Sequence, residues 1–370
     1  MAAATCRIKM KPEAAKNKSG GKIVISGNWR WPQYEEAFAR GLEEIGHEVA
    51  PFRVLDFLGG MFGGVQIAVP APSPSMLRLN SALLEFIKKE KPDIFLAWRC
   101  THVFPATVRM INRMGVASVS YNNDDPFGPA AHGNTPWHHH LLWFWYLRGL
   151  RHYRRNFFYR QVNAVEARLN GARHAGVLMP YFAPWRDRPV KLTAEEKRRF
   201  GCDVVFVGHY EPDGRVDKLR KLVRSGLSVK LFSGKYWTRK ILGDLYPYFG
   251  RVGPVYGEDY ARALSGAKVC LAFLSRLNRD TYTRRCFEIP ACGRVMLAER
   301  TKDLLGMFRE DEEACFFSSG EELVAKAWWL IRNPDRAEKI AQAGLRRVWA
   351  DGHDVKSRAA WFMNEVLEAR

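Results

Sequence analysis

No stretch of this 370-residue sequence has eighteen uninterrupted apolar residues, the length that a membrane-spanning helix needs. The N-terminal run MAAATCRIKMKPEAAKNKSGG carries charge but lacks the apolar centre of a secretory signal. We therefore expect a cytoplasmic protein in which residues 1–21 form a basic, disordered tail.

Cysteine pairs with metal-binding or redox spacing are also absent. The seven cysteines form no C-x-x-C motif, and several lie within apolar runs. This pattern argues against a disulfide scaffold and a zinc site, and favours a reducing compartment. His132 and the consecutive His138–His140 cannot all face one ion from regular structure, and no Cys or acidic residue is spaced to complete a tetrahedral site. We predict no metal site and no cofactor.

What the chain does have is an excess of positive charge, with a formal net charge of +19. Such a charge favours an acidic partner: nucleotide phosphates, an anionic membrane, an anionic acceptor or nucleic acid. No zinc finger, helix-turn-helix or aromatic RNA-binding motif accompanies it, so we expect no nucleic-acid partner.

Predicted strands and helices alternate along the chain, which favours an α/β protein with parallel sheets. The length suits two domains of about 150–180 residues each. We predict a first domain over residues 22–182, a linker over 183–202, a second domain over 203–352 and, within residues 353–370, a closing helix at Val355–Leu367. Strands are predicted at Lys22–Ser26, His47–Phe52, Asp93–Trp98, Val116–Tyr121, around Asn163, and at Gly176–Met179, Asp203–Gly208, Val229–Phe232, Val252–Tyr256, Val269–Phe273, Arg294–Ala298 and Ala314–Phe317.

The run DTYTRRCFEIPACG, Asp280–Gly293, combines features of a nucleotide site. Thr281 and Thr283 can cap a helix whose first N–H groups favour phosphate, and two arginines add positive charge there. Glu288, two turns further on, could accept hydrogen bonds from ribose hydroxyls. A helix N-cap role for Asp280, which needs no ligand, is the alternative. The predicted donor-binding residues of this run are Thr281, Thr283, Arg284 and Glu288.

The same run, FEIPACG followed by VMLAE, resembles the second glutamate and small-residue turn of nucleotide-sugar glycosyltransferases. Together with DVVFVGHYEPDGR, LFSG, RVGPVYGEDYARALSGAKVCLAF and EELVAKAWWLIRNPDRAEKIAQAGLRRV, it most resembles the CgeB-like (spore-protein) family, a relative of the family-4 group. The resemblance covers roughly Tyr181–Trp361. It implies a GT-B fold, with two Rossmann-like domains facing across a cleft, and a hexosyltransferase-like enzyme that uses a nucleotide diphosphate-sugar. Because cationic residues can stabilise the departing diphosphate, we predict that the enzyme is metal-independent.

The resemblance also assigns roles to loops that follow predicted strands. His209 and Arg215 stand near positions that hold donor phosphates in the relatives; a turn with a solvated Arg215 is the alternative. Gly234, Tyr236 and Tyr256 lie in two loops that enclose the base in the relatives, although aromatic packing at a domain edge would explain them equally.

Three residues are candidates for catalysis. His102 follows a predicted strand and could bond the hydroxyls of the donor sugar, while Asp125 could act as general base or bind an acceptor hydroxyl. The resemblance places Asp280 near the donor sugar. A satisfied loop histidine and an Asp-Pro turn are the alternatives for the first two.

The segment Leu141–Arg160, LLWFWYLRGLRHYRRNFFYR, contains eight aromatic residues, five arginines and no acid. As a helix it could contact an anionic membrane peripherally, on the inner face, or it could pack over the first domain. The sequence thus predicts a glycosyltransferase with an unknown acceptor, lipid-linked or polysaccharide. A non-catalytic relative that only binds nucleotide or glycan is the alternative.

Overall fold

The computed structural model describes residues 20–59, 63–99, 101–128, 137–234 and 236–368. These residues form two compact units. The first comprises residues 20–179, 277–279 and 355–368, and the second comprises residues 180–276 and 280–354. Within the described residues, no helix is both long enough and apolar enough to cross a membrane.

The first unit is built on a six-stranded parallel sheet in the order β2-β1-β3-β4-β5-β6. The apolar run IFLAW forms a central strand that is buried along its whole length, as expected when helices cover both faces of a parallel sheet. The strands are β1 (Lys22–Gly27), β2 (Glu48–Arg53), β3 (Ile94–Trp98), β4 (Ala117–Asn122), β5 (Arg155–Phe158) and β6 (Ala175–Val177).

Local sequence explains how the helices of this unit begin and end. In the longest, Ser73 is the N-cap, its Oγ accepting from the N–H of Met76 at 3.2 Å, and Pro74 is the first helical residue. That helix ends at Lys91, which adopts a left-handed conformation before a proline. The helices are α1 (Glu35–Glu43), α2 (Gly63–Ala68), α3 (Pro74–Glu90), α4 (Pro105–Arg113), α5 (Trp137–Leu142), α6 (Phe144–Gly149) and α7 (Gln161–Leu169).

The second unit has a five-stranded parallel sheet in the order β11-β10-β9-β7-β8. Its strands are β7 (Cys202–Val207), β8 (Val229–Phe232), β9 (Ala267–Ala272), β10 (Val295–Glu299) and β11 (Cys315–Phe317). Its helices are α8 (Ala194–Phe200), α9 (Arg215–Arg224), α10 (Arg239–Leu242), α11 (Tyr246–Phe249), α12 (Glu258–Gly266), α13 (Arg285–Ala291), α14 (Lys302–Met307), α15 (Gly320–Arg332) and α16 (Pro334–Ala350).

The closing helix, α17 (Val355–Leu367), belongs to the first unit and packs against α1. The rings of Phe38 and Phe362 meet edge-on with centroids 5.4 Å apart. Gly41 permits this approach, because a Cβ there would lie 2.9 Å from the carbonyl oxygen of Val355.

The predicted α/β class with two parallel-sheet domains is confirmed, but three local predictions are wrong. Asn163 lies in α7, and the strand is formed by the preceding buried run at Arg155–Phe158. Val252–Tyr256 forms no strand, because Gly253 and Pro254 interrupt the segment. Its backbone contact with the β8 end is a hydrogen bond from Ser233 N to the carbonyl of Gly253, at 2.9 Å.

The third wrong prediction is a single helix over Leu141–Arg160. This segment is divided into the end of α5, then α6, a 3₁₀ turn at Leu150–His152 and strand β5. Most of its aromatic side chains are buried in the core of the first unit, and Arg155 pairs with Glu365 at 3.0 Å. A single helix would place Arg148, Arg151 and Arg155 on one side; because the segment is divided, they do not form such a row.

The segment predicted as a linker, residues 183–202, is structured and lies within the second unit. It contains α8, which begins with a capping box: Thr193 Oγ1 accepts from Glu196 N at 3.2 Å, and the Glu196 carboxylate accepts from Thr193 N at 2.8 Å. It also contributes the ion pair of Arg186 and Asp187 to the site described below.

Candidate nucleotide site

The sheet order of the second unit creates a switch point at the carboxyl edge. The chain passes from β7 to its neighbour β8 on one side, then returns to β9 on the other side of β7. The loops after β7 and β9 consequently diverge at one place, and open α/β sheets bind ligands at such a point. The predicted donor-binding residues belong to this unit.

Hydrogen bonds join the loops at this edge. Ser275 Oγ donates to Glu211 Oε2 at 3.0 Å, linking the β9 loop to the β7 loop. The other carboxylate oxygen of Glu211 lies 3.1 Å from Nε2 of His209. Leu274 N, in the β9 loop, donates to Oε2 of Glu299 at 2.9 Å, which links the end of β10 to the β9 loop. His209 is the half-exposed member of this set, with 55% of its side chain accessible.

Arg215, predicted to bind phosphate, is 3% exposed and is fully engaged within the protein. Its Nε and Nη2 donate to the two carboxylate oxygens of Asp213 at 2.8 and 2.5 Å, and its Nη1 donates to the carbonyl of His209 at 2.5 Å. The alternative of a solvated Arg215 is therefore wrong, and its phosphate-binding role stays a prediction. Through these hydrogen bonds Arg215 stabilises the loop that carries His209.

Aromatic side chains of the loop after β8 lie beside His209. Tyr236 is 57% exposed, and its ring centroid is 6.1 Å from that of His209. Trp237 is buried, and its Nε1 donates to the carbonyl of Gly208 at 2.8 Å. Tyr256, in the next loop, is also largely exposed. In the same β8 loop Gly234 is described, whereas Lys235 lies outside the described residues.

The predicted threonine caps do not form. Helix α13 starts at Arg285, later than predicted, and its N-cap residue Arg284 makes no side-chain capping bond. Thr281 Oγ1 donates to the carboxylate of Asp303 instead. Thr283 lies in the turn before the helix, where its carbonyl oxygen accepts from a helix N–H at 2.9 Å. The hydroxyl of Thr281 serves another partner and the N-cap position falls on Arg284, so neither threonine caps the helix.

The two arginines at this helix start take different positions. Arg284 is buried, with Nη1 donating to the carbonyl of Tyr181 at 3.2 Å and the guanidinium 4.5 Å from the Tyr181 ring centroid. Arg285 is half-buried and donates through Nε to the carbonyl of Val207, the last residue of β7. Arg285 therefore reaches the switch point.

Glu288, the predicted ribose ligand, is the centre of a buried ionic network. Arg186 Nη2 donates to one carboxylate oxygen at 2.5 Å, and the hydroxyl of Tyr260 donates to the other at 2.6 Å. Arg186 also donates from Nε and Nη2 to Asp187, at 2.7 and 2.8 Å. Burial raises the pKa of Glu288, but Arg186 and Arg284 outweigh it and hold that pKa below its usual value.

Asp280 lies on the chain that leads into α13. Its backbone N–H donates to the carbonyl of Ser275 at 2.8 Å. Because α13 begins five residues later, Asp280 is not its N-cap. That Asp280 lies near the donor sugar stays a prediction.

The two other catalytic candidates lie in the first unit and are buried. His102 faces Thr101 Oγ1 at 2.8 Å through Nδ1 and the carbonyl of Gln66 at 3.0 Å through Nε2. Burial lowers the pKa of His102 to about 4, so the ring is neutral at pH 7. This is the environment of a satisfied loop histidine.

Asp125 accepts hydrogen bonds from several donors at once. Oδ1 accepts from Phe127 N at 3.0 Å, Gly128 N at 2.7 Å and Asn163 Nδ2 at 2.7 Å. Arg279 donates to both oxygens, through Nε at 2.5 Å and Nη2 at 3.0 Å. The carboxylate thus closes a turn and holds an ion pair.

Among the residues that the structure describes, no group of three His, Cys, Asp or Glu side chains is arranged to hold a metal ion. His132 lies outside the described residues. The described cysteines are free: Cys202, Cys270, Cys286, Cys292 and Cys315.

Sequence reasoning missed three residues of this region. Arg186 and Tyr260 were not candidates because each is far from Glu288 along the chain, and only the fold brings them together. Arg285 was noted for its charge but not chosen over Arg284. One signal could have separated the two arginines. Arg285 is the first residue of the helix and can face the neighbouring strand, whereas Arg284 precedes the helix and points elsewhere.

Comparison with known proteins gives one family match and several structures of similar fold. Residues 215–364 match the model of a glycosyl transferase-like family, and no match was found among curated proteins. Sucrose-phosphate synthase from Thermosynechococcus elongatus is similar in structure, with a TM-score of 0.67 and 11% identity over 95% of this chain and 100% of that one.

Two further structures extend the comparison. Anabaena HepE in complex with UDP and glucose gives a TM-score of 0.63 at 12% identity, over 94% of this chain and 100% of that one. A putative UDP-N-acetylglucosamine 2-epimerase from Listeria monocytogenes gives 0.56 at 13% identity, over 93% and 95%. At such identities the likeness shows the fold alone. The chain has the GT-B type of fold, two parallel-sheet α/β domains, and its residues 215–364 match the glycosyl transferase-like family.

Proposed function

We propose that this protein transfers a sugar from a nucleotide diphosphate-sugar to a hydroxyl group of an acceptor, as a CgeB-like, hexosyltransferase-type enzyme. The observation that carries the proposal is the family match over residues 215–364, which begins at the helix after the β7 loop and includes the β9 loop and α13. The matched region thus contributes much of the switch point at which α/β sheets bind ligands.

The residues at that point suit a nucleoside diphosphate. Arg285 and the half-exposed His209 can offer N–H donors to phosphate oxygens, and the exposed ring of Tyr236 can stack on a base. Arg215 would act by holding the His209 loop in place. Stabilising the departing diphosphate with fixed cations is a strong catalytic effect, and it requires no divalent ion. We therefore propose a metal-independent reaction with no cofactor beyond the donor substrate.

Ribose recognition by Glu288 stays part of the proposal. Each of its oxygens accepts one strong hydrogen bond already, but a carboxylate has about four accepting sites, so ribose hydroxyls could share it. Entry of ribose would compete with Tyr260 for the same oxygen. The acceptor, lipid-linked or polysaccharide, and a cytoplasmic location are further parts of the proposal that rest on the sequence.

One observation favours a second candidate, a non-catalytic relative that only binds nucleotide or glycan. Arg215, His102 and Asp125 are all engaged by protein partners, which leaves few free groups for chemistry.

One experiment separates the candidates. The purified protein is incubated with a panel of UDP-, GDP-, ADP- and dTDP-sugars, and melting temperature and release of free nucleoside diphosphate are both measured. We expect one donor to raise the melting temperature, since a ligand that binds the folded state stabilises it, and to be turned over. Stabilisation without release in the presence of an acceptor mixture would favour the binding-only relative. No stabilisation by any donor contradicts both.

A further inference from the structure

Large apolar side chains are exposed on three neighbouring helices of the first unit. Trp137 is 70% exposed, Val65 62% and Leu77 61%, and Ile67 and Leu141 are also exposed. We call these five residues the apolar patch. Isolated exposed apolar residues are ordinary, whereas a contiguous group marks an interaction surface.

The helices that carry the patch are joined to one another. Helix α2 packs against α5. Gln66 of α2 donates through Nε2 to Oγ of Ser73, the N-cap of α3, at 2.9 Å. Trp145 of α6 donates through Nε1 to the carbonyl of Pro70, between α2 and α3, at 2.7 Å. These contacts make α2, α3 and α5 neighbours, so the exposed side chains are carried by one group of adjoining helices.

The sequence around the patch is almost free of charge. Residues 57–84 contain one charged residue, Arg78, and residues 126–147 contain none, in a chain that is 26% charged. Exposed surfaces of water-soluble proteins usually carry interspersed charges of both signs. A surface without them is suited to an apolar environment.

The part of the sequence that includes α4, α5 and α6 has an excess of arginine. Residues 94–165 contain eight arginines and two acids, Asp124 and Asp125. Both acids are paired, Asp124 with Arg99 at 2.8 Å and Asp125 with Arg279 at 2.5 Å. Four exposed arginines lie on α4, on α6 and in the turn after it, and α6 adjoins α5. We call them the basic rim: Arg109, Arg113, Arg148 and Arg151.

We propose that the first unit docks peripherally on a bilayer that contains anionic phospholipid, with the apolar patch entering the interface and the basic rim contacting lipid phosphates. Trp at the edge of an apolar surface suits the headgroup region, and arginine binds phosphate. A second copy of the chain fits less well, because a symmetric contact would bring two basic rims together without acids to balance them.

This surface shares Leu141, Arg148 and Arg151 with the segment predicted at Leu141–Arg160, but the aromatic rings of that segment are mostly buried and take no part in it. The proposal does not depend on the sugar-transfer reaction. It concerns where the protein resides, and it is tested without any substrate.

The test is co-sedimentation of the full chain with vesicles of phosphatidylcholine alone or with phosphatidylglycerol added. The patch variant is Leu77→Ser/Trp137→Ser. Its matched control is Leu169→Ser/Trp329→Ser, which removes one exposed leucine and one exposed tryptophan elsewhere. The rim variant is Arg148→Gln/Arg151→Gln. Melting temperatures of all variants verify folding.

We expect the wild type and the control to bind anionic vesicles and not neutral ones. The patch variant should lose at least about tenfold in partition coefficient, as expected when two large apolar side chains no longer enter the interface. Each arginine of the rim should contribute about fivefold, and added salt should weaken the binding.

Two results would overturn the proposal. Equal sedimentation of the wild type, patch variant and control with anionic vesicles would assign the binding to other basic regions, such as residues 1–21. A concentration-dependent dimer that only the patch variant abolishes, without vesicle binding by the wild type, would identify a second copy as the occupant.

Discussion

Arg186 Nη2 and Glu288 Oε1 lie 2.5 Å apart, joining residues that are 102 positions apart in the chain. The guanidinium also pairs with Asp187, and the second oxygen of Glu288 accepts from Tyr260. One part-buried arginine therefore pairs with two buried carboxylates, of which Glu288 belongs to α13. Any ligand of Glu288 must approach a carboxylate that the protein has already oriented.

We predict that Glu288→Ala destabilises the protein by about 3–5 kcal/mol, because it removes one partner of a buried ion pair and leaves the hydroxyl of Tyr260 without its acceptor. The measurement is urea unfolding followed by circular dichroism. Glu288→Gln is the matched control, since its amide oxygen still accepts a hydrogen bond and its volume is retained. A Glu288→Ala protein as stable as the wild type would show that the network contributes nothing to folding.

Much of the fold could be predicted from local patterns. The strand Val229–Phe232 and the helix Val355–Leu367 have the predicted bounds, because alternating buried residues in a short strand and a regular apolar period in a helix are local signals. The run at Leu141–Arg160 failed for a physical reason. Its closely spaced aromatic residues are compatible with either a helix or a buried strand. In the fold the first part of the segment is helical and the last part is a strand.

The site could be predicted only as a region. The importance of Glu288 was visible in the FEIPACG run, but its partners Arg186 and Tyr260 come from other elements. The same holds for Asp125, whose ionic partner Arg279 is 154 residues away. Local sequence shows which residues can carry charge and says little about which charges the fold will pair.

We predict that His102 makes stability fall in acid. Its pKa is about 4 in the folded protein against an ordinary 6.5, so the unfolded state binds more protons between these values. The neutral ring is compatible with the fold above pH 6.5, and stability declines as the pH falls toward 4, by about 3 kcal/mol. Urea unfolding at pH 7 and pH 4.5 should show a smaller pH effect in His102→Gln. An imidazole NMR titration centred near pH 6.5 would contradict the assignment.

We predict that Asp125→Asn lowers the free energy of unfolding. The substitution removes the negative charge that Arg279 and two backbone N–H groups share, and we expect a loss of about 3 kcal/mol. Asp124→Asn is the neighbouring control; its carboxylate is part-exposed and pairs with Arg99, so its loss should stay below about 1 kcal/mol. A folded Asp125→Asn protein with wild-type stability and greatly reduced turnover would instead restore the general-base hypothesis.

The last prediction concerns Arg285, which reaches the end of β7 while Arg284 is buried against Tyr181. If Arg285 binds the donor diphosphate, Arg285→Gln should weaken nucleotide binding by about tenfold or more, since charge-assisted hydrogen bonds contribute about 1.5–3 kcal/mol each. Arg346→Gln, an exposed arginine of α16, removes the same charge elsewhere and should leave affinity unchanged. Isothermal titration with the nucleoside diphosphate that stabilises the wild type measures both. Equal affinities for the two variants would exclude Arg285 from the phosphate site, because only a local contact can separate substitutions that change the net charge alike.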